Sequence, residues 1–74
     1  MSTKHQREWQ QIGLNVAYYR KSRGLTQELL ADSIGKSRNH IQRLESGVPA
    51  SVNTLLDIAQ QLEVPVSRLF EFRE

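Results

Sequence analysis

The sequence predicts a small all-α domain, and three observations carry this prediction. Apolar residues recur at every third or fourth position in successive segments, which is the spacing of one helical face. No segment shows the strict alternation that a strand requires. The chain has 74 residues and no cysteine, so disulfides and thiolate metal sites are excluded, and regular helix packing, with or without dimerisation, has to supply the stability.

Five helices are predicted in order along the chain. The first ends at Arg23-Gly24, and the other four begin at residues whose hydroxyls cap free backbone N–H groups. These N-caps are Thr26, Ser37, Ser51 and Ser67. The apolar faces comprise Trp9, Ile12, Val16 and Tyr19 in the first helix, Leu30, Ala31 and Ile34 in the second, Ile41 and Leu44 in the third, Leu55, Ile58, Ala59 and Leu62 in the fourth, and Leu69 and Phe70 in the last.

The second and third helices are separated by a very short turn, so they must cross at a steep angle and nearly touch. A close crossing requires a small residue at the contact, and Ala31 is that residue. The turn also needs a positive φ, which Gly35 adopts without penalty. Because the opposite side of the third helix cannot reach the core, its polar residues must face outward. This arrangement is a helix-turn-helix, and the outward residues are Arg38, Asn39, Gln42 and Arg43.

From Ile12 to Phe70 the chain resembles the Cro/Xre-type family, the five-helix lambda repressor-like DNA-binding domain with a central helix-turn-helix. The segments that carry the resemblance are RKSRGLTQELLADSIGKS, IQRLESG and TLLDIAQQLEVPVSRLF. The resemblance implies a sequence-specific transcriptional regulator that binds double-stranded DNA, with a recognition helix at about Ser37–Glu45 in the major groove.

The resemblance also assigns roles to individual positions. Gln27 matches a residue that contacts a phosphate and supports the recognition helix, and His40 matches a position near the flank or backbone of the site. Arg20 and Glu45 match a partly buried ion pair, which could instead be a surface pair. Val66 and Leu69 match the region where several members form a two-fold contact. The positions that match residues facing the DNA are Ser37, Arg38, Asn39 and Arg43.

The chemistry of the outward residues suits a base-reading role. A guanidinium offers two parallel donors that match guanine O6 and N7, as at Arg38 or Arg43, and an amide such as Asn39 can pair with adenine N6 and N7. Lys36 is expected to contact the DNA backbone, which fixes register and carries little sequence information. One helix reads only a few base pairs, so we expect a homodimer on a pseudo-palindrome.

Two features depart from the family pattern. The loop after the third helix, GVPAS, has no lysine or arginine for phosphate contacts. About ten residues precede the region of resemblance and contain Lys4, Arg7 and Trp9. We therefore divide the chain into an N-terminal extension, residues 1–11, and the domain proper, residues 12–72. The extension either lengthens the first helix or forms a basic arm.

Charge is unevenly distributed along the chain. Residues 1–45 carry eight Lys and Arg against four Asp and Glu, a net charge of +4, whereas residues 46–74 carry two against four, a net charge of −2. The basic half favours an anionic partner. There is no membrane-length apolar run and no signal-peptide pattern, so we expect a cytoplasmic protein.

The sequence also bears on two other classes of function. Catalysis is not expected, because no nucleophile triad, Gly-rich phosphate loop or metal-ligand cluster is present, and no cofactor is expected. The alternative to DNA regulation is a protein-interaction module of the same fold, antitoxin-like or partner-binding, with DNA binding secondary. Leu14 and Tyr18 lie four residues apart off the main apolar stripe, so they either pack locally or bind a partner. Phe70 and Phe72 are further candidates for such a contact.

Overall fold

The computed structural model describes residues 4–72 and contains four α-helices and one 3-10 helix in this range. The helices are α1 (Gln6–Ser22), α2 (Gln27–Ser33), α3 (Arg38–Glu45) and α4 (Val52–Leu62), followed by the 3-10 helix Val66–Phe70. No strand occurs between residues 4 and 72. The prediction of an all-α fold is confirmed, with the fifth helix present as a 3-10 helix.

Local sequence signals account for the starts of three helices. The hydroxyls of Thr26, Ser37 and Ser51 accept hydrogen bonds from the backbone N–H groups of residues 29, 40 and 54, at 3.0, 3.2 and 3.1 Å. Such a cap contributes about 1 kcal/mol to helix stability. The predicted cap at Ser67 is wrong, because the last helix follows Pro65 and Ser67 lies inside it without a capping hydrogen bond.

The predicted apolar faces meet in one core. Trp9, Tyr19 and Ile34 are half-buried against it, and Phe70 is instead exposed. The fully or almost fully buried apolar residues are Ile12, Val16, Leu30, Ala31, Ile41, Leu44, Leu55, Ile58, Ala59, Leu62 and Leu69.

The first helix starts at Gln6, so residues 6–11 are part of α1. Trp9 packs against the core, and a side chain added at Gly47 would lie 2.9 Å from Gln10 Cγ. The start of α1 is thus built over the turn that follows α3. The first three residues of the proposed extension lie outside the described residues, and the division at residue 12 stays a prediction.

We expect Ala31→Leu to destabilise the fold by about 1–3 kcal/mol, as overpacking of a filled core does. Ala31 has no exposed surface, and α2 and α3 share the most extensive helix contact in the chain. The added atoms would push the two helices apart. Urea denaturation measures the loss, and Leu29→Ala, at an exposed neighbouring position, is the control that should change little. A normally stable Ala31→Leu would contradict the close-crossing argument.

Candidate nucleic-acid interface

The turn between α2 and α3 is closed by backbone hydrogen bonds around Gly35. Gly35 has a φ of +71°, and its N–H donates to the carbonyl of Asp32 at 3.3 Å. The N–H of Lys36 donates to the carbonyl of Ala31 at 2.9 Å. This is the Schellman arrangement that ends many helices. It brings α3 directly after α2 and so fixes the angle between them.

The two sides of α3 are clearly separated. Ile41 and Leu44 are buried, whereas Arg38, Asn39, Gln42 and Arg43 are exposed. Lys36 and Ser37, just before the helix, are also exposed. Within residues 4–72, the exposed side chains of α3 make no ion pair or hydrogen bond to the rest of the chain. They are therefore free to contact another molecule.

The Arg20 side chain links α1 to the end of α3. Its Nε donates to Glu45 Oε2 at 2.7 Å and its Nη2 donates to Glu45 Oε1 at 3.1 Å. A third donor, Nη1, reaches the carbonyl of Leu25 at 2.7 Å. The two side chains are only 9% and 8% exposed. The ion pair is bidentate and nearly buried, so the relative orientation of the two side chains is fixed as well as their distance.

Gln27 joins the same network from the first position of α2. Its Nε2 donates to Glu45 Oε1 at 3.0 Å, so Glu45 connects α1, α2 and α3. Gln27 also lines an open depression of about 480 Å³ together with Arg38. Gln27, which is predicted to contact a phosphate, and Arg38, which is predicted to read a base, therefore border the same depression. The remaining residues around the depression are Arg20, Gly24, Leu25, Thr26 and Glu28.

His40 faces the loop after α3 rather than the outer side of the helix. It is half-buried, and its Nε2 is buried with no hydrogen-bond partner among residues 4–72. With Arg43 it borders a cavity of about 110 Å³. His40 therefore lies at one edge of the exposed face of α3. The other residues around the cavity are Leu44, Val48, Pro49 and Ala50.

The predicted contact between two copies at Val66 and Leu69 is wrong for Leu69. Leu69 has no exposed surface and belongs to the core of the single chain, so it has no atoms to offer a second copy. Val66 is half-buried against the same core.

Three residues with structural roles in the domain are not predicted from the sequence. Gly13 lies where α1 crosses α3, and a Cβ there would be 2.5 Å from the Leu44 carbonyl oxygen. Asn15 is buried, and its Nδ2 donates to the carbonyls of Leu69 and Glu71 at 3.0 and 2.9 Å. Arg23 donates to the carbonyls of Leu62 and Glu63 at 2.6 and 3.2 Å, at the end of α4. A glycine inside a helix and an asparagine on an apolar stripe were the available signals.

None of the helices between residues 4 and 72 combines the length and the apolar composition that a membrane crossing needs. No group of three or more His, Asp or Glu side chains is placed to share a metal ion in that range.

Comparisons with known proteins identify the family to which this fold belongs. A family model described as helix-turn-helix, HTH_3, matches residues 16–69. No curated protein matches the sequence significantly.

Three similar solved structures have the same fold. The restriction-modification controller protein C.AhdI from Aeromonas hydrophila is 28% identical, with a TM-score of 0.85 over 92% of this chain and 100% of that chain. The clp gene regulator ClgR from C. glutamicum is 24% identical, with a TM-score of 0.77 over 90% of this chain and 86% of that chain. The hypothetical transcription factor NHTF from Neisseria is 21% identical, with a TM-score of 0.79 over 96% of this chain and 80% of that chain.

The last two likenesses concern the fold alone, and the family match covers most of the domain. The resemblance to the Cro/Xre type is thereby confirmed: the chain belongs to the HTH_3 helix-turn-helix family of DNA-binding transcription regulators.

Proposed function

We propose that this protein is a sequence-specific transcriptional regulator that inserts α3, with Ser37 at its start, into the major groove of its operator. The observation that carries the proposal is the outer face of α3. The chain contains other arginines, Arg20, Arg23 and Arg68, that are engaged in hydrogen bonds within the molecule. Among residues 4–72, Arg7, Arg38 and Arg43 have no such partner, and Arg38 and Arg43 lie together on the exposed face of α3.

The proposed roles follow from the chemistry of these side chains. Arg38 and Arg43 read guanine through paired N–H donors, and Asn39 reads adenine. Gln42 lies on the same outer side. The DNA backbone on either side of the base contacts is held by Lys36, Ser37, Gln27 and His40. These backbone contacts fix the register of α3 on the duplex.

We propose that the protein binds as a homodimer on a pseudo-palindrome. Successive major-groove segments on one side of the duplex lie about 34 Å apart. The longest extent of one domain is 30 Å, so a single copy with one α3 spans one half-site. Two copies related by a two-fold axis read both half-sites. C.AhdI is named as a restriction-modification controller, and control of restriction genes is one context that fits this proposal.

Selection of bound duplexes from a randomised DNA pool tests the proposal. The expected result is an enriched pseudo-palindrome whose binding weakens with salt, with a slope of roughly −0.9 per phosphate neutralised in a plot of log affinity against log salt. No enrichment from protein shown to be folded would contradict the proposal and favour the alternative, a partner-binding module.

We expect Arg43→Ala to weaken operator binding by about 1–3 kcal/mol for each lost bidentate contact and to relax specificity at one base pair per half-site. Folding should change little because Arg43 is exposed. Arg68→Ala is the matched control: it removes the same charge from a surface pair with Glu71 and should leave specificity intact. A uniform loss across all sequences, with a smaller salt slope, would assign Arg43 to the DNA backbone instead.

A further inference from the structure

A stripe of exposed residues runs along α1 on the side turned away from α3. Its members, Arg7, Leu14, Tyr18 and Lys21, follow one another at intervals of seven, four and three residues, which keeps them on one face of a helix. Leu14 and Tyr18 are each 60% exposed, and Arg7 and Lys21 are exposed at either end. We call this set the α1 stripe.

The α1 stripe is separate from the proposed DNA-binding face. Gly13 approaches the backbone of Leu44 and Glu45, so α1 crosses the C-terminal end of α3, whereas the N-terminal part of α3 carries Arg38 and Asn39. Leu14 and Tyr18 are one and five residues beyond Gly13, which turns them well away from α3 on the helical wheel. A molecule bound to the stripe therefore leaves the outer face of α3 free.

The C-terminal segment borders the stripe. Asn15, which is adjacent to Leu14, donates to the carbonyls of Leu69 and Glu71 and so holds this segment against α1. Phe70 and Phe72 in the same segment are 41% and 48% exposed. Since a fully buried aromatic side chain covers about 150–250 Å², the exposed parts of these rings, Tyr18 and Leu14 offer on the order of 400 Å² of apolar surface. The summed area is within the size range of functional patches on monomeric proteins.

The charges around the patch favour one kind of occupant. Within residues 4–72, Arg7 and Lys21 have no ion-pair partner, and the single carboxylate of α1, Glu8, lies off the stripe spacing. A second copy packed antiparallel, with Leu14 against Tyr18, would place Lys21 opposite Gln11. A second copy packed parallel and in register would place Arg7 against Arg7 and Lys21 against Lys21. Self-association leaves both cations uncompensated, whereas acidic residues at both ends of a partner helix would neutralise them.

The size of the patch supports the same choice. Each side of a stable interface between globular proteins contributes about 800 Å², roughly twice what the patch offers. One amphipathic helix, which buries a narrow apolar face, fits it better than a whole domain.

We propose that the α1 stripe, together with Phe70 and Phe72, binds an acidic amphipathic helix of a partner protein. DNA binding by α3 and partner binding by α1 then occur on different faces of one domain. The proposal goes beyond the function proposed for α3 and does not depend on it.

The test uses two labelled synthetic helices of about 21 residues, each with leucine at the core positions of three heptads. One helix carries glutamate at the flanking positions and the other carries lysine. We expect the acidic helix to bind the full chain at least about tenfold more tightly than the basic one in fluorescence anisotropy titrations, because only it complements Arg7 and Lys21.

Variants locate the binding. Leu14→Ser with Tyr18→Ser should abolish binding, and Lys21→Glu with Arg7→Glu should reverse the preference between the two helices. Leu56→Ser is the matched control: Leu56 is an exposed leucine four residues from exposed Val52 on α4, and its loss should leave binding unchanged. Thermal melts should show every variant folded at the temperature of the titrations, because each substituted residue is exposed.

Three results would overturn the proposal: no binding of either helix, equal binding of both, or binding that survives the Leu14 and Tyr18 substitutions. Loss of a homodimer on those substitutions, seen by sedimentation equilibrium, would assign the stripe to a second copy and would also overturn it. Operator titrations with the Leu14→Ser, Tyr18→Ser variant should remain unchanged, because these two substitutions alter no charge. Failure of the Arg43→Ala prediction would count against the role of α3 without affecting this result.

Discussion

Gly13→Ala is expected to destabilise the protein by about 3 kcal/mol or more, the upper range for overpacking of a filled interior. A Cβ at position 13 would lie 2.5 Å from the carbonyl oxygen of Leu44 and 2.7 Å from that of Glu45. Both atoms belong to the backbone of α3, so no side chain can rotate away. The helix α1 would have to move off α3 and take part of the core contact with it.

Two opposing effects determine whether Gly13→Ala raises or lowers the stability of the protein. In an unobstructed helix, glycine is about 1 kcal/mol less favourable than alanine, so helix propensity alone predicts that Gly13→Ala stabilises. The close approach of α3 opposes this and is the larger effect. Urea denaturation should therefore show a lower midpoint, and thermal melts should show a Tm lower by at least about 12 °C.

Gly35→Ala provides the control. At Gly35 the φ is +71° and nothing lies within 4 Å of the added Cβ, so only the left-handed backbone is penalised, by about 1–2 kcal/mol. Gly13→Ala should be the more damaging of the two. If it were neutral or stabilising, α1 and α3 would not cross at residue 13.

The difference between these glycines also shows which parts of the structure the sequence could predict. Gly35 was found because a turn between two short apolar patterns needs a positive φ, which is a local property. Gly13 was not, because nothing in its neighbourhood along the chain says that α3 passes over it. The structural role of Asn15 could not be predicted for the same reason. Its partners, the carbonyls of Leu69 and Glu71, are more than fifty residues away along the chain.

The candidate site divides in the same way. The outward position of Arg38, Asn39 and Arg43 follows from the apolar spacing of Ile41 and Leu44 on the opposite side of α3. The unpartnered Nε2 of His40 depends on how the loop after α3 folds back, which spacing does not determine. The sequence predicted the position of the last helix correctly, but it did not predict that this helix is a 3-10 helix or that Ser67 does not cap it. A segment of five residues after Pro65 takes its conformation from packing against α1 and α4.

Arg20→Met is expected to cost about 3–5 kcal/mol, because removal of one partner leaves a nearly buried carboxylate without its counter-charge. Glu45 would keep only the amide of Gln27, and the carbonyl of Leu25 would lose its donor. Urea denaturation measures the loss. Arg68→Met is the matched control, since its pair with Glu71 is about half exposed and such pairs contribute under about 1 kcal/mol. Equal losses in the two variants would mean that the Arg20–Glu45 pair acts as a surface pair.

A double variant separates the stability of this pair from its role in DNA binding. Arg20→Met with Glu45→Leu removes both charges, and replacing a buried pair by apolar side chains is often neutral. The double variant should therefore be more stable than Arg20→Met alone. It also removes the acceptor that joins Gln27 to the end of α3, so we expect operator binding to remain weaker than in the parent even though the protein is folded. Full recovery of binding along with stability would show that the network holds the fold together and does not orient the recognition helix.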